Sequence, residues 1–210
     1  MEKTVTCLLH AQTDDHGNLY KTAKVKLEDL TEAIKPFVNA STRWLHDGAR
    51  PAISTILCLA PRFDLHISRK DLEEDIAAAE SGNREQGKAQ AVAWLPSLEP
   101  HNTVQGPYRS ELERTREEIF ARLATEGSVL ACMREQYFRS FFDFVGGTPY
   151  AGRLDGGDAI ILEFVERERA SAEALRESAL GQRTDESRRG EKEPPRKKEF
   201  VLANSRRLTA

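Results

Sequence analysis

Two consecutive amphipathic stretches near the middle of the chain constrain the fold most. From Ser110 to Glu126, apolar residues recur at helical spacing among dense charge, which predicts an amphipathic helix. The next stretch begins at Ser128, a favourable N-cap residue, and keeps the same spacing as far as Gly146. Its apolar positions are Leu130, Met133, Tyr137, Phe141 and Phe142. Because only Gly127 and Ser128 separate the two patterns, the sequence predicts an αα-hairpin or one kinked helix.

The N-terminal residues show the two-residue alternation that is typical of strands. Apolar side chains alternate from Val5 to Ala11 and again from Leu19 to Leu27, and residues 13–18 between them favour a turn. This pattern predicts a β-hairpin over residues 1–27. Two strands alone are marginally stable, so we expect the hairpin to pack against the helices that follow.

Further helices are expected along the rest of the chain. One begins near Asp29, and a last one begins at Asp158. The apolar segment 53–60 fits either a strand or a buried helical turn, and its periodicity does not choose between them. Residues 181–199 hold many charges and no large apolar side chain, a composition that is typical of disorder.

Together these patterns predict an α+β fold dominated by helices. An N-terminal β-hairpin is expected to pack on a bundle of about four to five helices, followed by a disordered charged C-terminal tail. The expected domain covers residues 1–180, with the hairpin in 1–27 and mainly helical structure in 28–180. The expected tail covers residues 181–210.

The composition excludes several classes of protein. With 31 Lys and Arg against 34 Asp and Glu, the formal net charge is −3, which argues against a protein that coats nucleic acid by bulk positive charge. No apolar run approaches the length that spans a bilayer, and the N-terminus lacks the features of a secretory signal, so a cytoplasmic or nuclear location is expected. The 3 cysteines and 5 histidines are scattered without the spacing of a zinc site, and no cofactor is expected.

Five aromatic residues crowd the second of the two central stretches. They are Tyr137, Phe138, Phe141, Phe142 and Phe144. Aromatic side chains at helical spacing are most often core. The rotation per residue nevertheless spreads this run around a helix, so some of the rings are expected to meet another element or another subunit. Arg139 and Asp143 are spaced to form an ion pair beside them.

Part of this region resembles a family of viral proteins. The element from Arg139 to Asp143 follows a helix and precedes a Gly-containing turn, as in the C-terminal core of coat proteins from rod-shaped plant RNA viruses. The tripeptide Phe142-Asp143-Phe144, followed by Gly147 and Pro149, also resembles the Phe-Asp-Phe element of filamentous plant virus coats. The resemblance covers residues 111–149. It implies an all-helical core in which the arginine and the acidic residue pair, and subunits that stack helically around RNA.

The same resemblance implies an RNA-facing role for arginines of the preceding helix. These are Arg114, Arg116 and Arg122. A simpler interpretation is a solvated helix face, on which the arginines pair with neighbouring glutamates. A net charge of −3 leaves RNA binding open, because affinity depends on local phosphate contacts more than on the total charge.

Signals of catalysis are sparse in the sequence. The chain has none of the glycine-rich phosphate-binding motifs, and it lacks Gly-x-Ser-x-Gly and His-Glu-x-x-His. Asp155, Asp158 and Glu163 could surround a hard cation, although a Gly-rich turn with an Asp N-cap explains the same residues.

The leading hypothesis is therefore a non-enzymatic assembly or binding protein. It would be a capsid-type subunit that associates with itself, with another protein or with RNA, without a membrane and without an identified small-molecule substrate. The alternative is a small metal-assisted hydrolase or nuclease that uses Asp155, Asp158 and Glu163 with a histidine.

Overall fold

The described part of the chain forms a mixed β-sheet with helices packed against it. The computed structural model describes residues 3–80, 92–95, 109–147, 154–170 and 196–208. Within these ranges the strands are Lys3–Leu9 (β1), Arg43–His46 (β2), Val92–Trp94 (β3), Ser128–Met133 (β4), Ala159–Ala170 (β5) and Arg196–Leu208 (β6). The helices are Lys21–Ile34 (α1), Arg50–Leu59 (α2), Arg69–Glu80 (α3), Arg109–Glu126 (α4) and Glu135–Phe144 (α5), and a short 3-10 helix covers Ala60–Phe63.

The sheet has a parallel part and an antiparallel part. Among the described residues the strand order is β3-β2-β4-β1-β5-β6. β1 pairs in parallel with β4, and β2 pairs in parallel with both β4 and β3. β5 runs antiparallel to β1. The register sets Cys7 opposite Ala131 on one side and opposite Ile160 on the other, so β1 is paired along both edges.

Apolar residues of α1 and α2 bury one set of sheet side chains. Leu27 and Ile34 on α1 and Ile56 on α2 are fully buried in one cluster with Leu8 and Trp44 of the strands. Burying each such side chain contributes about 1.5–3 kcal/mol relative to exposure, so this cluster accounts for much of the stability of the fold.

Another contact joins α4 to β5. The rings of Phe120 and Phe164 meet edge to face, with their centroids 5.1 Å apart. On α4 the stripe of Leu112, Ile119 and Leu123 is buried, so the predicted amphipathic helix is confirmed.

The predicted N-terminal hairpin is wrong beyond its first strand. β1 forms where the alternation begins, but the residues from Lys21 onward form α1 and not a second arm. Ala23 and Leu27 fit a two-residue alternation, yet they also lie four residues apart and belong to a helical stripe that is buried. Among the described residues, what remains of the hairpin is an isolated bridge between Thr13 and Leu19.

The predicted αα-hairpin is also wrong, because a strand lies between the two helices. α4 ends at Glu126, and Gly127 follows with a φ of +81°, a left-handed conformation that ends a helix. Residues 128–133 then form β4, and all 6 of its residues are buried. The run from Val129 to Met133 is continuously apolar, which is typical of a parallel strand covered on both faces.

This strand overturns the resemblance to viral coat proteins. The resemblance required an all-helical core over residues 111–149, whereas the described part of this region consists of α4, β4 and α5. β4 pairs with both β1 and β2, so the region contributes the middle of a sheet. The expected fold class, a hairpin on a helical bundle, is therefore wrong, and the chain has an α/β architecture.

The C-terminal part differs from its prediction as well. Residues from Ala159 form β5 and not a last helix, because the run from Ala159 to Leu162 is buried on both faces of the sheet. Arg196–Leu208 form β6, so the expected disordered tail is wrong for these residues. Residues 171–195 lie outside the described ranges, and the domain boundary at residue 180 stays a prediction. The segment 53–60, for which the sequence leaves strand and helix open, is helical, since α2 covers nearly all of it.

The chain divides into two units. Residues 1–164 together with 202–210 form the first unit, and residues 165–201 form the second. β1 to β4, the beginning of β5 and the end of β6 belong to the first unit. Within the described ranges, no helix is long and apolar enough to cross a membrane.

Candidate functional site

The carboxyl ends of four parallel strands meet at one edge of the sheet. β1, β2, β3 and β4 end at Leu9, His46, Trp94 and Met133. From β1 the chain continues to β2 on one side, whereas from β4 it continues to β5 on the far side of β1. In open α/β sheets such a reversal opens a crevice at the carboxyl ends of the strands, where ligands bind. We call the polar residues at these ends the carboxyl edge; they are His10, His46, Asp47, Trp94 and Arg134.

His10 follows β1 and has a partly exposed imidazole. Its backbone N–H donates to Met133 O at 3.1 Å, which ties it to the end of β4. Its Nδ1 lies 3.3 Å from Ala11 O. A carbonyl oxygen only accepts hydrogen bonds, so this contact fits the tautomer that carries the proton on Nδ1 and the lone pair on Nε2. In this tautomer Nε2 can act as a nucleophile or as a base.

The backbone around His10 is held on both sides. Ala11 N donates to Thr55 Oγ1 on α2 at 2.9 Å. On the other side, Gly156 lies so close that a Cβ at this position would be 3.0 Å from His10 O. The turn before β5 thus packs closely against the end of β1. The backbone that carries the His10 imidazole is therefore held in place on both sides.

Asp47 and Arg134 form an ion pair between the ends of β2 and β4. Arg134 donates to Asp47 Oδ2 through its backbone N–H at 2.9 Å and through Nε at 3.0 Å, and its Nη2 donates to Asp47 O at 3.3 Å. Asp47 Oδ1 accepts from Ala49 N at 3.0 Å. The carboxylate side chain is 0% exposed, while that of Arg134 is 22% exposed. The pair therefore fixes a guanidinium group at the carboxyl edge with part of its surface open to solvent.

Two helices begin at the carboxyl edge. α2 begins at Arg50, shortly after β2, and α5 begins at Glu135, directly after β4 and Arg134. Among the described residues, neither helix has an N-cap side chain bound to its first N–H groups. Such N–H groups have no partner within the helix and carry partial positive charge, which favours anions.

His46, at the end of β2, is a neutral hydrogen-bond donor. Gly48 N donates to His46 Nδ1 at 3.1 Å, so the ring proton is on Nε2. Burial lowers the pKa of His46 to about 4, and the ring is therefore uncharged at neutral pH. Within the described part of the chain, His46 Nε2 and Trp94 Nε1 are both buried without an acceptor.

The carboxylates predicted to bind a metal are not brought together. Asp158 binds Arg207, and Glu163 accepts from Asn204 at 2.7 Å. Asp158 precedes β5 while Glu163 lies within it, and five residues of strand span about 16 Å. In the described ranges, no group of 3 or more His, Cys, Asp or Glu side chains could hold a metal ion. The geometry of Asp155, Asp158 and Glu163 thus does not support the metal site of the alternative hypothesis.

The arginines expected to face RNA lie along α4. Arg114 and Arg122 are exposed, and Arg116 lies over the ring of Phe144, 4.9 Å from its centroid. An RNA-facing role was implied by the coat-protein resemblance and loses its basis with it. Arg116 instead joins α4 to the end of α5.

The aromatic residues of α5 are mostly core. Tyr137, Phe138, Phe141 and Phe142 are buried, whereas Phe144 is partly exposed under Arg116. Arg139 forms its ion pair with Glu135 at 2.9 Å and not with Asp143, which is exposed. Packing against the sheet explains the surplus of aromatic residues, so the interpretation as a non-enzymatic, capsid-type assembly protein is wrong.

Sequence reasoning missed the carboxyl edge, although one signal points to it. A polar residue directly follows each of three strands: His10 follows β1, Asp47 follows β2 and Arg134 follows β4. Such residues meet when the strands are parallel neighbours. The pattern becomes informative only once these segments are assigned to strands, whereas the helical spacing from Ser128 predicts a helix where β4 lies.

Comparisons with known proteins yield structural likenesses alone. No family model matches the chain, and no curated protein matches it. A mycobacterial glucosyl-3-phosphoglycerate phosphatase matches with a TM-score of 0.48 and 14% identity, over 78% of this chain and 91% of the other. A mycobacterial hydrolase matches with a TM-score of 0.49 and 12% identity, over 82% and 87%. A protein named as phosphohistidine phosphatase SixA from Nakamurella multipartitia matches with a TM-score of 0.46 and 10% identity, over 78% and 86%.

With identities of 14% or less and TM-scores of 0.49 or less, these likenesses assign neither a family nor an activity. None of the three is described as a viral coat protein.

Proposed function

We propose that the chain is a hydrolase that binds a phosphate monoester at the carboxyl edge and uses His10 as the attacking group. The observation that carries this proposal is the state of the His10 imidazole. Nδ1 faces Ala11 O at 3.3 Å, and the tautomer that fits this contact has the lone pair on Nε2, at the end of β1. His10 follows β1, which is a neighbour of β4, and the chain connections change direction between these two strands.

The groups around His10 suit a phosphoryl group. The first N–H groups of α5, those of α2 apart from Pro51, which has none, and the partly exposed guanidinium of Arg134 can donate to phosphate oxygens. In the proposed reaction, His10 Nε2 bonds to phosphorus while the ester P–O bond breaks, and the leaving alcohol oxygen takes a proton from a water molecule, which becomes hydroxide. A second water molecule then attacks phosphorus and gives a proton to this hydroxide, the N–P bond breaks, and inorganic phosphate leaves with His10 restored.

Asp47 limits the positive charge at this edge. Its carboxylate accepts from the side chain of Arg134 and from the backbone N–H groups of Ala49 and Arg134, which directly precede α2 and α5, so it offsets both the guanidinium charge and the partial positive charge of the two helix N-termini. We therefore expect weak substrate binding and a kcat below the usual range of about 1–1000 per second.

The proposal keeps one part of the sequence-based alternative and replaces another. Hydrolysis is kept, while the three carboxylates and their metal ion are replaced by an imidazole. Removal of phosphate is also the activity in the names of the mycobacterial glucosyl-3-phosphoglycerate phosphatase and the Nakamurella protein. The proposal stands on the geometry of His10 and not on those names.

Hydrolysis of p-nitrophenyl phosphate by the purified chain tests the proposal. Its leaving group needs no acid, so the measurement reports on the attacking group. We expect His10→Ala to lower kcat/KM by at least about 100-fold. The matched control is His16→Ala, since His16 is an exposed histidine in the turn that follows. The proposal is overturned if the wild-type chain neither hydrolyses the ester nor binds phosphate, or if the His10→Ala variant is as active as the wild type.

The place of action and the assembly state are part of the proposal. We propose action in the cytoplasm or nucleus, which fluorescence microscopy of the tagged chain in its own cells tests. Self-association stays a prediction, and light scattering on the purified chain measures it.

A further inference from the structure

A second arginine reaches the carboxyl edge from the C-terminal strand. Arg207, near the end of β6, binds the carboxylate of Asp158, which directly precedes β5. Asp158 O accepts from Leu9 N at 2.9 Å, so Asp158 lies against the residue before His10. Asp158 Oδ2 also accepts from Asp155 N at 3.0 Å. Arg207 is therefore fastened to the same turn that packs on the backbone of His10.

His10 thus lies between two arginines that are held in the same way. Arg134 follows β4 on one side of β1, and Arg207 reaches Asp158 on the other side. The aspartates that bind them are buried, with side chains 0% and 4% exposed, while the two arginine side chains keep 22% and 27% exposure. An arginine held by a buried carboxylate has already lost most of its rotamer freedom, so binding an anion costs little additional entropy.

The two arginines lie on opposite sides of the end of β1. Arg134 follows β4 and is held toward the end of β2 by Asp47, whereas Arg207 is held at the start of β5 by Asp158. A cation is therefore available on either side of His10 for the oxygens of a phosphoryl group.

We infer that Arg207 is a substrate-binding residue that holds the phosphoryl group against His10 from the side opposite to Arg134. This inference rests on the proposed function and adds a role for the C-terminal strand, which supplies part of the site. The chain would then need β6 for phosphate affinity as well as for the edge of its sheet.

The neighbouring residue provides a matched control. Arg206 lies over the ring of Phe37, with its guanidinium carbon 4.3 Å from the ring centroid. Successive side chains on a strand point to opposite faces of the sheet, so Arg206 and Arg207 point apart. Removing either arginine changes the net charge equally, but only Arg207 is bound next to His10.

Phosphate affinity and steady-state kinetics test the inference together. We expect Arg207→Ala to weaken the binding of inorganic phosphate, measured by calorimetry, about tenfold, because a charge-assisted hydrogen bond is lost. The KM for p-nitrophenyl phosphate should rise by a similar factor, with kcat changed by less than about threefold. Arg206→Ala should leave both quantities unchanged, and Arg207→Lys should restore part of the affinity because it keeps a cation beside Asp158. Because Arg207→Ala leaves the buried carboxylate of Asp158 without its ion pair, urea unfolding of each variant shows whether the fold is retained under the assay conditions.

The possible failures are distinguishable. If Arg207→Ala binds phosphate as the wild type does while His10→Ala is inactive, the role of Arg207 is refuted and the hydrolase function stands. If Arg207→Ala and Arg206→Ala lose affinity for phosphate equally, the effect is one of general charge, and the role of Arg207 is again refuted. If the wild-type chain neither binds phosphate nor hydrolyses the ester, the proposed function fails and this inference fails with it.

Discussion

Arg134 gives three hydrogen bonds to Asp47, whose carboxylate is completely shielded from solvent. Removing one member of a buried ion pair strands the charge of the other. We therefore expect Asp47→Ala to lower the free energy of unfolding by about 3–5 kcal/mol. Urea unfolding followed by circular dichroism measures the loss, and Asp143→Ala, at an exposed carboxylate, serves as the control. A loss for Asp47→Ala no larger than that for Asp143→Ala would show that the pair is not a structural element.

The buried imidazole of His46 should make stability depend on pH. Its pKa is about 4 in the folded chain, against an ordinary value of 6.5. Between these values the unfolded chain binds the proton more readily, so stability is present above pH 6.5 and is lost as the pH falls toward 4. From about pH 7.5 to about pH 5 we expect a loss of roughly 2 kcal/mol from this residue.

Urea unfolding at the two pH values measures this loss in the wild type and in two variants. His46→Gln retains an oxygen that can accept from Gly48 N, and it should remove the loss that His46 contributes. His16→Gln changes an exposed ring and should leave that contribution in place. If His46→Gln has the same pH dependence as the wild type, His46 is not the group responsible.

Gly48 should tolerate a side chain poorly for two separate reasons. Its φ is +76°, and a Cβ there would lie 2.8 Å from Trp94 Nε1. Gly127 has a similar φ of +81° with nothing within 4 Å, so Gly127→Ala isolates the backbone effect, which is about 1–2 kcal/mol. We expect Gly48→Ala to cost about 1–3 kcal/mol more, because the indole must move. Thermal unfolding of both variants measures the difference, and equal losses would mean that Trp94 yields freely.

Thiol reactivity should separate one cysteine from the other two. Cys7 and Cys132 are buried, and burial raises the pKa of Cys7 to about 12 and that of Cys132 well above its ordinary value. Burial also raises the pKa of the partly exposed Cys58, but the nearby charge of Arg62 opposes this effect. Near pH 8 we expect Ellman's reagent to react with one thiol in the folded chain and with all three in urea. Cys58→Ser should abolish the reaction of the folded chain, and a rapid reaction in that variant would reveal opening of the core.

Long periodic elements of this fold are predictable from sequence, and short buried ones are not. α4 is found within a residue of its predicted start because Leu112, Ile119 and Leu123 extend over enough turns to define a period. β4 and the beginning of β5 are continuous apolar runs, which fit a strand and a buried helix equally well. The choice between a strand and a buried helix depends on whether the segment lies inside a sheet that is covered on both faces, and this follows only from the order of the strands.

The candidate site could not be predicted from local sequence patterns, because its residues come together only through the pairing of the strands. His10, Asp47 and Arg134 are far apart in the chain and share no spacing that chemistry requires. They meet because β1 and β2 both pair in parallel with β4. The carboxylates Asp155 and Asp158, which are close in sequence, are instead engaged in the turn that supports His10.

The position of β1 in the sheet has a consequence for the newly synthesised protein. β1 is made before either of the strands that it pairs with, since its neighbours are β4 and β5. Pairing between segments so distant in sequence forms slowly. The nascent chain must therefore carry the apolar residues of β1 without a partner while β2 and β3 leave the ribosome, and chaperones should bind the chain at this segment during translation.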